Sequence, residues 1–209
     1  MDEEMKVLVS RFAEYLKMFK QQLQCFHKCE SQVEGWFKGE LLCFLDQEKL
    51  GGRLPNFEQE KKLYVGVKRN RVNVDIMLQF DQPGGQLVSK WVELKHWIGH
   101  QNNRDWTPSS YFLVPPKRSD SCAQCVERLL KIPEDGDKFI LVAFTPKPGS
   151  KDWNAGVRDF NTKFSPLAVR SLTNPDDYPE YFFVGLLYVP EVASTDVPRF
   201  YSSASVRRC

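Results

Sequence analysis

Two runs of strictly alternating side chains, separated by a Pro-Gly turn, constrain this chain more than any other feature. In residues 72–80, Val72, Val74, Ile76, Leu78 and Phe80 are apolar, while Asn73, Asp75 and Gln79 with Met77 fill the positions between. Side chains alternate across a strand with period two, so this pattern predicts a half-buried strand from which Asp75 leaves the core. In residues 88–97, Val88, Val92 and Leu94 oppose Trp91, Glu93, Lys95 and Trp97. Asp81-Gln82-Pro83-Gly84-Gly85 lies between the runs and carries hairpin-turn chemistry, so the two strands are expected to pair antiparallel. Register then decides whether Asp75 and Glu93 share a face. Three loop residues set them directly opposite, five set Asp75 opposite Trp91, and an even loop without a bulge separates them.

Glu93-Leu94-Lys95 follows Asp75 by eighteen residues. Glu93 and Lys95 project to one side of their strand while Leu94 points into the packed layer. Two carboxylates and an ammonium on one face can hold a divalent cation among hard oxygen ligands and set positive charge beside the water or phosphate that the metal activates. A third carboxylate comes from a preceding helix. Ser31-Gln32-Val33-Glu34 reads as a capping box, and Val33, Trp36, Phe37, Leu41 and Phe44 recur at helical spacing after it. Glu40 is four residues from Trp36 and Phe44 and three from Phe37, which assigns it to the inward side. An unpartnered polar group there costs roughly 2–7 kcal/mol, and more when charged, a cost that a metal would relieve. Gly39 costs its helix roughly 1 kcal/mol against alanine and reads as a place where backbone approaches something closely.

A helix bearing Glu40, a first strand, a second strand bearing Val74-Asp75, a third bearing Glu93-Leu94-Lys95, then a helix and a further strand follow one another within about residues 31–145. This order resembles the core of the PD-(D/E)xK nuclease superfamily, the restriction-endonuclease-like fold. The resemblance implies an α/β domain with a central mixed β-sheet flanked by α-helices. It implies that Asp75, Glu93 and the backbone carbonyl of Leu94 bind Mg2+ or Mn2+, that Glu40 completes or orients the metal shell, and that Lys95 positions the hydrolytic water or stabilises the pentavalent phosphate. The implied activity is hydrolysis of phosphodiester bonds in nucleic acid, DNA foremost. The alternatives are a catalytically inactive nuclease-fold protein that binds nucleic acid or acts as a scaffold, and an unrelated α/β interaction module. Val74 stands where the superfamily name has proline, and Arg128 rather than tyrosine stands four residues after Gln124, so the glutamine-tyrosine helix motif of the RecB-like exonuclease branch is absent.

The 209 residues, 42% hydrophobic and 13% aromatic, suit one domain over residues 1–189 followed by a Ser-rich tail, 190–209, expected to be mobile. No apolar run reaches about eighteen residues, and Met1-Asp2-Glu3-Glu4 has the wrong charge for a leader, so the expected location is the cytoplasm, or the nucleus of a eukaryote, with no membrane partner. The formal charge of +2 is nearly neutral for a nucleic-acid binder, which leaves phosphate contacts to local clusters. Lys68, Arg69, Arg71, Lys117 and Arg118 are the candidates, beside Lys61-Lys62, although such clusters are more often solvated surface. Residues 99–120 form a long polar connection in which Trp106 and Tyr111 either stack on bases or pin the loop to the core.

Phe12, Leu16, Phe19, Leu23 and Phe26 give residues 3–27 a narrow helical seam that packs on the core or pairs with a second copy or another protein. Cys25, Cys29, Cys122 and Cys125, with His27, have spacings a zinc site could use, but helical placement favours free thiols. His96 and His100 are expected to pair with Glu93, Asp75 or substrate, or to lie on the surface. Helices are expected at 119–131 and 152–163, and apolar strands at 138–145 and 181–189.

Overall fold

The computed structural model describes residues 2–29, 33–65, 70–98, 100–101, 104–105, 107–113 and 121–192. The apolar seam of the N-terminal segment forms α1 (Asp2–Leu16), a 3-10 turn (Lys17–Phe19) and α2 (Lys20–Lys28), and α3 runs from Glu34 to Leu50. Three strands follow: β1 (Asn56–Val65), β2 (Asn70–Asp81) and β3 (Leu87–Ile98). The stretch expected to be a loop holds a short pair, β4 (His100–Gln101) and β5 (Arg104–Asp105), and then α4 (Pro108–Leu113). The chain ends with α5 (Cys122–Leu130), β6 (Asp137–Thr145), α6 (Ser150–Lys163), β7 (Arg170–Ser171) and β8 (Phe183–Val189). Residues 193–209, expected to be a mobile tail, lie outside the described residues.

Six strands form one mixed sheet in the order β1-β2-β3-β6-β8-β7. β3 and β6 are parallel, joined by the crossover through α4 and α5, and the other neighbours are antiparallel. Helices cover both faces. Phe12, Leu16, Phe37 and Phe44 from α1 and α3 pack on Ile76, Val92, Leu94 and Leu141, while Val126, Leu129, Trp153 and Phe160 from α5 and α6 pack on Trp91, Trp97, Val142 and Phe144. A strand covered on both faces reads as a continuous apolar run, which is what residues 139–144 of β6 are. The α1 seam is therefore part of this core, with Met5, Phe12 and Leu16 buried. No helix of the described residues is long and apolar enough to cross a membrane.

The β2–β3 pairing runs from Asp81↔Leu87 to Ile76↔Val92, and the Gln82 amide donates to the Gln86 carbonyl at 2.8 Å. Pro83, Gly84 and Gly85 form the three-residue loop, with φ of 102° and 79° at the two glycines, a conformation that glycine adopts without a Cβ penalty. The ladder stops at Ile76↔Val92, one pair short of Asp75 and Glu93.

One expectation for β2 is corrected. The five apolar residues of 72–80 do not share a face: Val72 and Val74 join the α5 side of the core, and Ile76, Leu78 and Phe80 the α1/α3 side. The inversion falls at Asp75. On β1 the pairs Gln59↔Ile76 and Lys61↔Val74 bracket Glu60, whose φ is +50°, so the ladder is irregular on both strands at this level.

Gly39 is corrected as well. It is exposed, and a Cβ there would meet nothing within 4 Å. Gly39→Ala is expected to stabilise the protein by about 1 kcal/mol in chemical denaturation, because it restores helix propensity without steric cost.

Candidate functional site

The irregularity at Asp75 opens the sheet. Among the described residues β2 pairs with β3 no further than Ile76↔Val92, and successive amides on that edge of β3 turn to side chains. Leu94 N–H donates to Asp75 Oδ2 at 3.0 Å, His96 N–H to Glu34 Oε2 at 3.3 Å, and Ile98 N–H to the Tyr111 hydroxyl at 3.1 Å. Buried backbone donors must be satisfied, and here two of the three acceptors are carboxylates. N–H and C=O of one strand residue point to the same edge, so the Leu94 carbonyl also faces the Asp75 side.

A cleft of about 520 Å³ occupies this opening, and Asp75, Glu93 and Lys95 all line it. Lys38 of α3, Glu60 and Lys62 of β1, Arg128 of α5 and Lys131 just after it complete its charged wall, five basic and three acidic side chains in all. Glu93 is 2% exposed and Lys95 7%. Arg128 grips Glu93 with a fork, Nη2 to Oε2 at 2.8 Å and Nε to Oε1 at 3.2 Å. Burial pushes the Glu93 carboxyl up to about 7, although Arg128 works against this; the Asp75 charge adds to the rise. Lys38 Nζ donates to Asp75 Oδ1 at 3.2 Å and to Glu60 Oε1 at 3.0 Å. Lys95 Nζ donates to Glu34 Oε1 at 3.2 Å, so Glu34 fixes both the ammonium and the next backbone amide of β3. Cys125 lies against Arg128, Sγ to Nη2 at 3.6 Å, and burial pushes its thiol up to about 12, which disfavours the thiolate.

Glu40 does not belong to the cleft. Its Oε2 accepts a 2.9 Å hydrogen bond from the hydroxyl of Tyr15 on α1. The side of α3 that carries Glu40 faces α1, and the carboxylate that reaches β3 is Glu34, a turn and a half earlier. Nor does Glu34 cap its helix in the expected way: Val33 is the N-cap without a side-chain cap bond, and Ser31 and Gln32 lie outside the described residues.

Of the two expectations for Tyr111, the structure has the one in which it pins its segment to the core, and not the one in which it stacks on bases. It is 5% exposed, lies flat on Trp97 with ring centroids 4.8 Å apart, and its hydroxyl donates to the Ile98 carbonyl at 3.0 Å. Its ring faces are not offered to a base; it pins the segment after β5 to the edge of β3. Lys68, Arg69, Lys117, Arg118 and Trp106 lie outside the described residues, as does the side chain of Arg71. His96 is buried on the α3 side, stacked on Phe37. Its Nδ1 accepts from the Val33 amide at 3.1 Å, which leaves Nε2 as donor to Thr145 Oγ1 at 2.8 Å. Burial lowers its pKa to about 4, so it is a neutral structural residue rather than a partner of Glu93 or Asp75. Cys25 and Cys29 are exposed, with their sulfurs 3.8 Å apart, whereas Cys122 and Cys125 are buried; none of the four is in a disulfide.

The donor set fits a hard divalent cation. Mg2+ is usually held by one or two carboxylates with water completing its shell, and Asp75 and Glu93 line one cleft, with the Leu94 carbonyl on the strand edge that faces Asp75. Among the described residues no group of three or more His, Cys, Asp or Glu side chains forms a metal cage, so these two carboxylates and main-chain oxygen would be the protein's whole contribution. Compared with protein-family models, curated proteins and solved structures, the chain matches none.

Two of its residues, Lys38 and Arg128, and Glu34, which holds Lys95, gave no clear signal in the sequence. Lys38 and Glu34 are one helical turn apart, an i, i+4 pair that a search for acid-base patterning on α3 would find. Arg128 stands where the glutamine-tyrosine motif would have tyrosine, and its pairing with Glu93 across 35 residues of sequence is set by the fold.

Proposed function

We propose that this chain is a divalent-metal-dependent nuclease of the restriction-endonuclease-like class that hydrolyses phosphodiester bonds in nucleic acid, DNA foremost. The observation that carries this reading is the meeting of Asp75, Glu93 and Lys95 in one cleft whose remaining charged wall is mostly basic. The mixed sheet with helices on both faces, and the order of acid-bearing elements along it, are compatible with that class.

Asp75, Glu93 and the Leu94 carbonyl would hold the ion. Bound Mg2+ or Mn2+ supplies Lewis-acid polarisation of the phosphate and lowers the pKa of a coordinated water. The chain's own residues do the remaining work. Lys95, held by Glu34, presents a positive charge where negative charge grows on the phosphate in the transition state, and can orient the attacking water. Lys62 and Lys131 stand on the cleft wall to receive neighbouring phosphates. Among the described residues no aromatic ring lines the cleft, so it is suited to the sugar-phosphate backbone and offers no stacking platform for a base.

One observation favours a second reading, a protein that binds nucleic acid without cleaving it: Lys38 and Arg128 already neutralise Asp75 and Glu93. Incubating the purified protein with plasmid and oligonucleotide DNA in Mg2+, Mn2+, Ca2+ or chelator separates the two. The nuclease reading expects cleavage in Mg2+ or Mn2+, binding with little turnover in Ca2+, neither cleavage nor metal effect for Asp75→Ala, and wild-type cleavage for Glu40→Ala. Equal residual cleavage by wild type and Asp75→Ala would assign it to a contaminant and leave the binding reading.

A further inference from the structure

We infer that Arg128 exchanges partners, releasing Glu93 to a divalent cation and moving its guanidinium onto a phosphate of the nucleic acid, so that cation and nucleic acid bind this cleft cooperatively. This rests on the nuclease reading above and adds to it the order and coupling of binding.

The geometry of the fork is the first argument. Nε and Nη2 of Arg128 engage both oxygens of Glu93, and a divalent ion on those oxygens would meet the guanidinium charge at the same place. Both cations cannot keep their full hold on one carboxylate, so one must yield. Glu93 projects from the middle of β3, where β6 pairs with it at Ile140, and is 2% exposed; it has little freedom to turn toward water. Arg128 stands in the last turn of α5, and its side chain is 33% exposed. Arg128 is therefore the partner that moves.

The second argument is charge balance. Removing one member of a buried ion pair is strongly unfavourable because it leaves the other charge uncompensated. Arg128 can leave only as another cation arrives, and it then needs an anion of its own. The planar fork that fits a carboxylate fits a phosphate equally well, and the Lys131 ammonium on the same cleft wall marks where a phosphate would gather positive charge. Lys38 offers a contrast. It bridges Asp75 and Glu60 together, so it keeps one carboxylate if the other is taken and has less cause to move.

Coupling of this kind is reciprocal: if DNA tightens cation binding by some factor, the cation tightens DNA binding by the same factor. The test is calorimetric titration of Ca2+ into the full-length protein, with and without a saturating duplex oligonucleotide, for wild type, Arg128→Gln and Arg128→Lys. Circular dichroism confirms that each variant is folded. In wild type the duplex is expected to tighten Ca2+ binding by about fivefold or more. Arg128→Gln should bind Ca2+ more tightly than wild type in the absence of DNA, and the gain from DNA should fall below about twofold. Arg128→Lys keeps a charge without the fork, and is expected to lose most of the gain; it decides the matter if the glutamine variant does not fold. An undiminished gain in the folded variants would overturn the exchange by Arg128 while leaving the nuclease reading intact. Absence of Ca2+ and Mn2+ binding in wild type, or binding unchanged by Asp75→Ala, would overturn both.

Discussion

Lys95→Ala is expected to lower single-turnover cleavage at saturating DNA by roughly 10²–10³-fold, the effect of removing one preorganised donor from a charged transition state, while DNA affinity changes by less than about threefold. Lys95 is 7% exposed and bound to Glu34. It is held in place before substrate arrives, and its charge matters most when the phosphate gains negative charge, so its loss should appear in the rate and not in ground-state binding. Lys62 provides the comparison. It is an exposed residue on the cleft wall, and Lys62→Ala should weaken binding to all sequences alike and reduce the salt dependence of log affinity by roughly one unit, with turnover at saturation unchanged. If Lys95→Ala instead lost only affinity, Lys95 would be a phosphate contact and the catalytic role assigned to it would be wrong.

Glu93→Gln is expected to abolish cleavage and, at pH 8, to raise thermal stability. Burial lifts the Glu93 carboxyl from the ordinary 4.5 to about 7. Between those values the folded protein binds a proton that the unfolded chain does not. The contribution of Glu93 to stability is therefore fullest below about pH 4.5 and is lost as pH rises through 7. The penalty for the buried charge at pH 8 is on the order of 3 kcal/mol. Glutamine removes it but gives up the Arg128 fork, whose guanidinium can reach solvent, so a net gain of about 1–2 kcal/mol, or roughly 2–8 °C in Tm, is expected. At pH 4.5 the gain should vanish. His96 acts in the opposite sense. Burial lowers its pKa from 6.5 to about 4, so its contribution is present above pH 6.5 and lost as pH falls toward 4. The two groups oppose each other across the same window in wild type, and Glu93→Gln should unmask a stability that rises with pH from 4 to 6.5. Thermal melts of both proteins from pH 4 to pH 8 measure this; a variant less stable than wild type at pH 8 would show that the Arg128 pair outweighs the burial of charge.

The elements were legible from local pattern because their side chains are sorted locally. Alternation disclosed β2 and β3, the Pro-Gly-Gly turn their pairing, and the unbroken apolar run β6. Strand periodicity put Glu93 and Lys95 on one face of β3, while Asp75 reaches the same cleft at the point where β2 turns over and leaves β3. The inversion of β2 at Asp75 was not legible, since Val72 through Phe80 reads as perfect alternation while the chain changes faces in the middle. Helical phase failed at Glu40 for a different reason. The apolar stripe of α3 is wide enough to pack on both the sheet and α1, so an inward position on α3 meant Tyr15 and not β3. Tyr111 sat in a polar, aromatic-bearing stretch that resembles a binding loop, yet its hydroxyl satisfies both backbone groups of Ile98 where β2 has left the edge of β3. Arg128 became visible only when the parallel crossover brought α5 over the same strand face as Glu93.

Anomalous scattering from crystals grown in Mn2+ tests the proposed metal site most directly. A peak roughly 2.0–2.4 Å from carboxylate oxygens of both Asp75 and Glu93, with Arg128 withdrawn from Glu93, is the expected result. A saturating Mn2+ concentration that gives no peak in the cleft, or one that leaves either carboxylate outside the coordination shell, would contradict it.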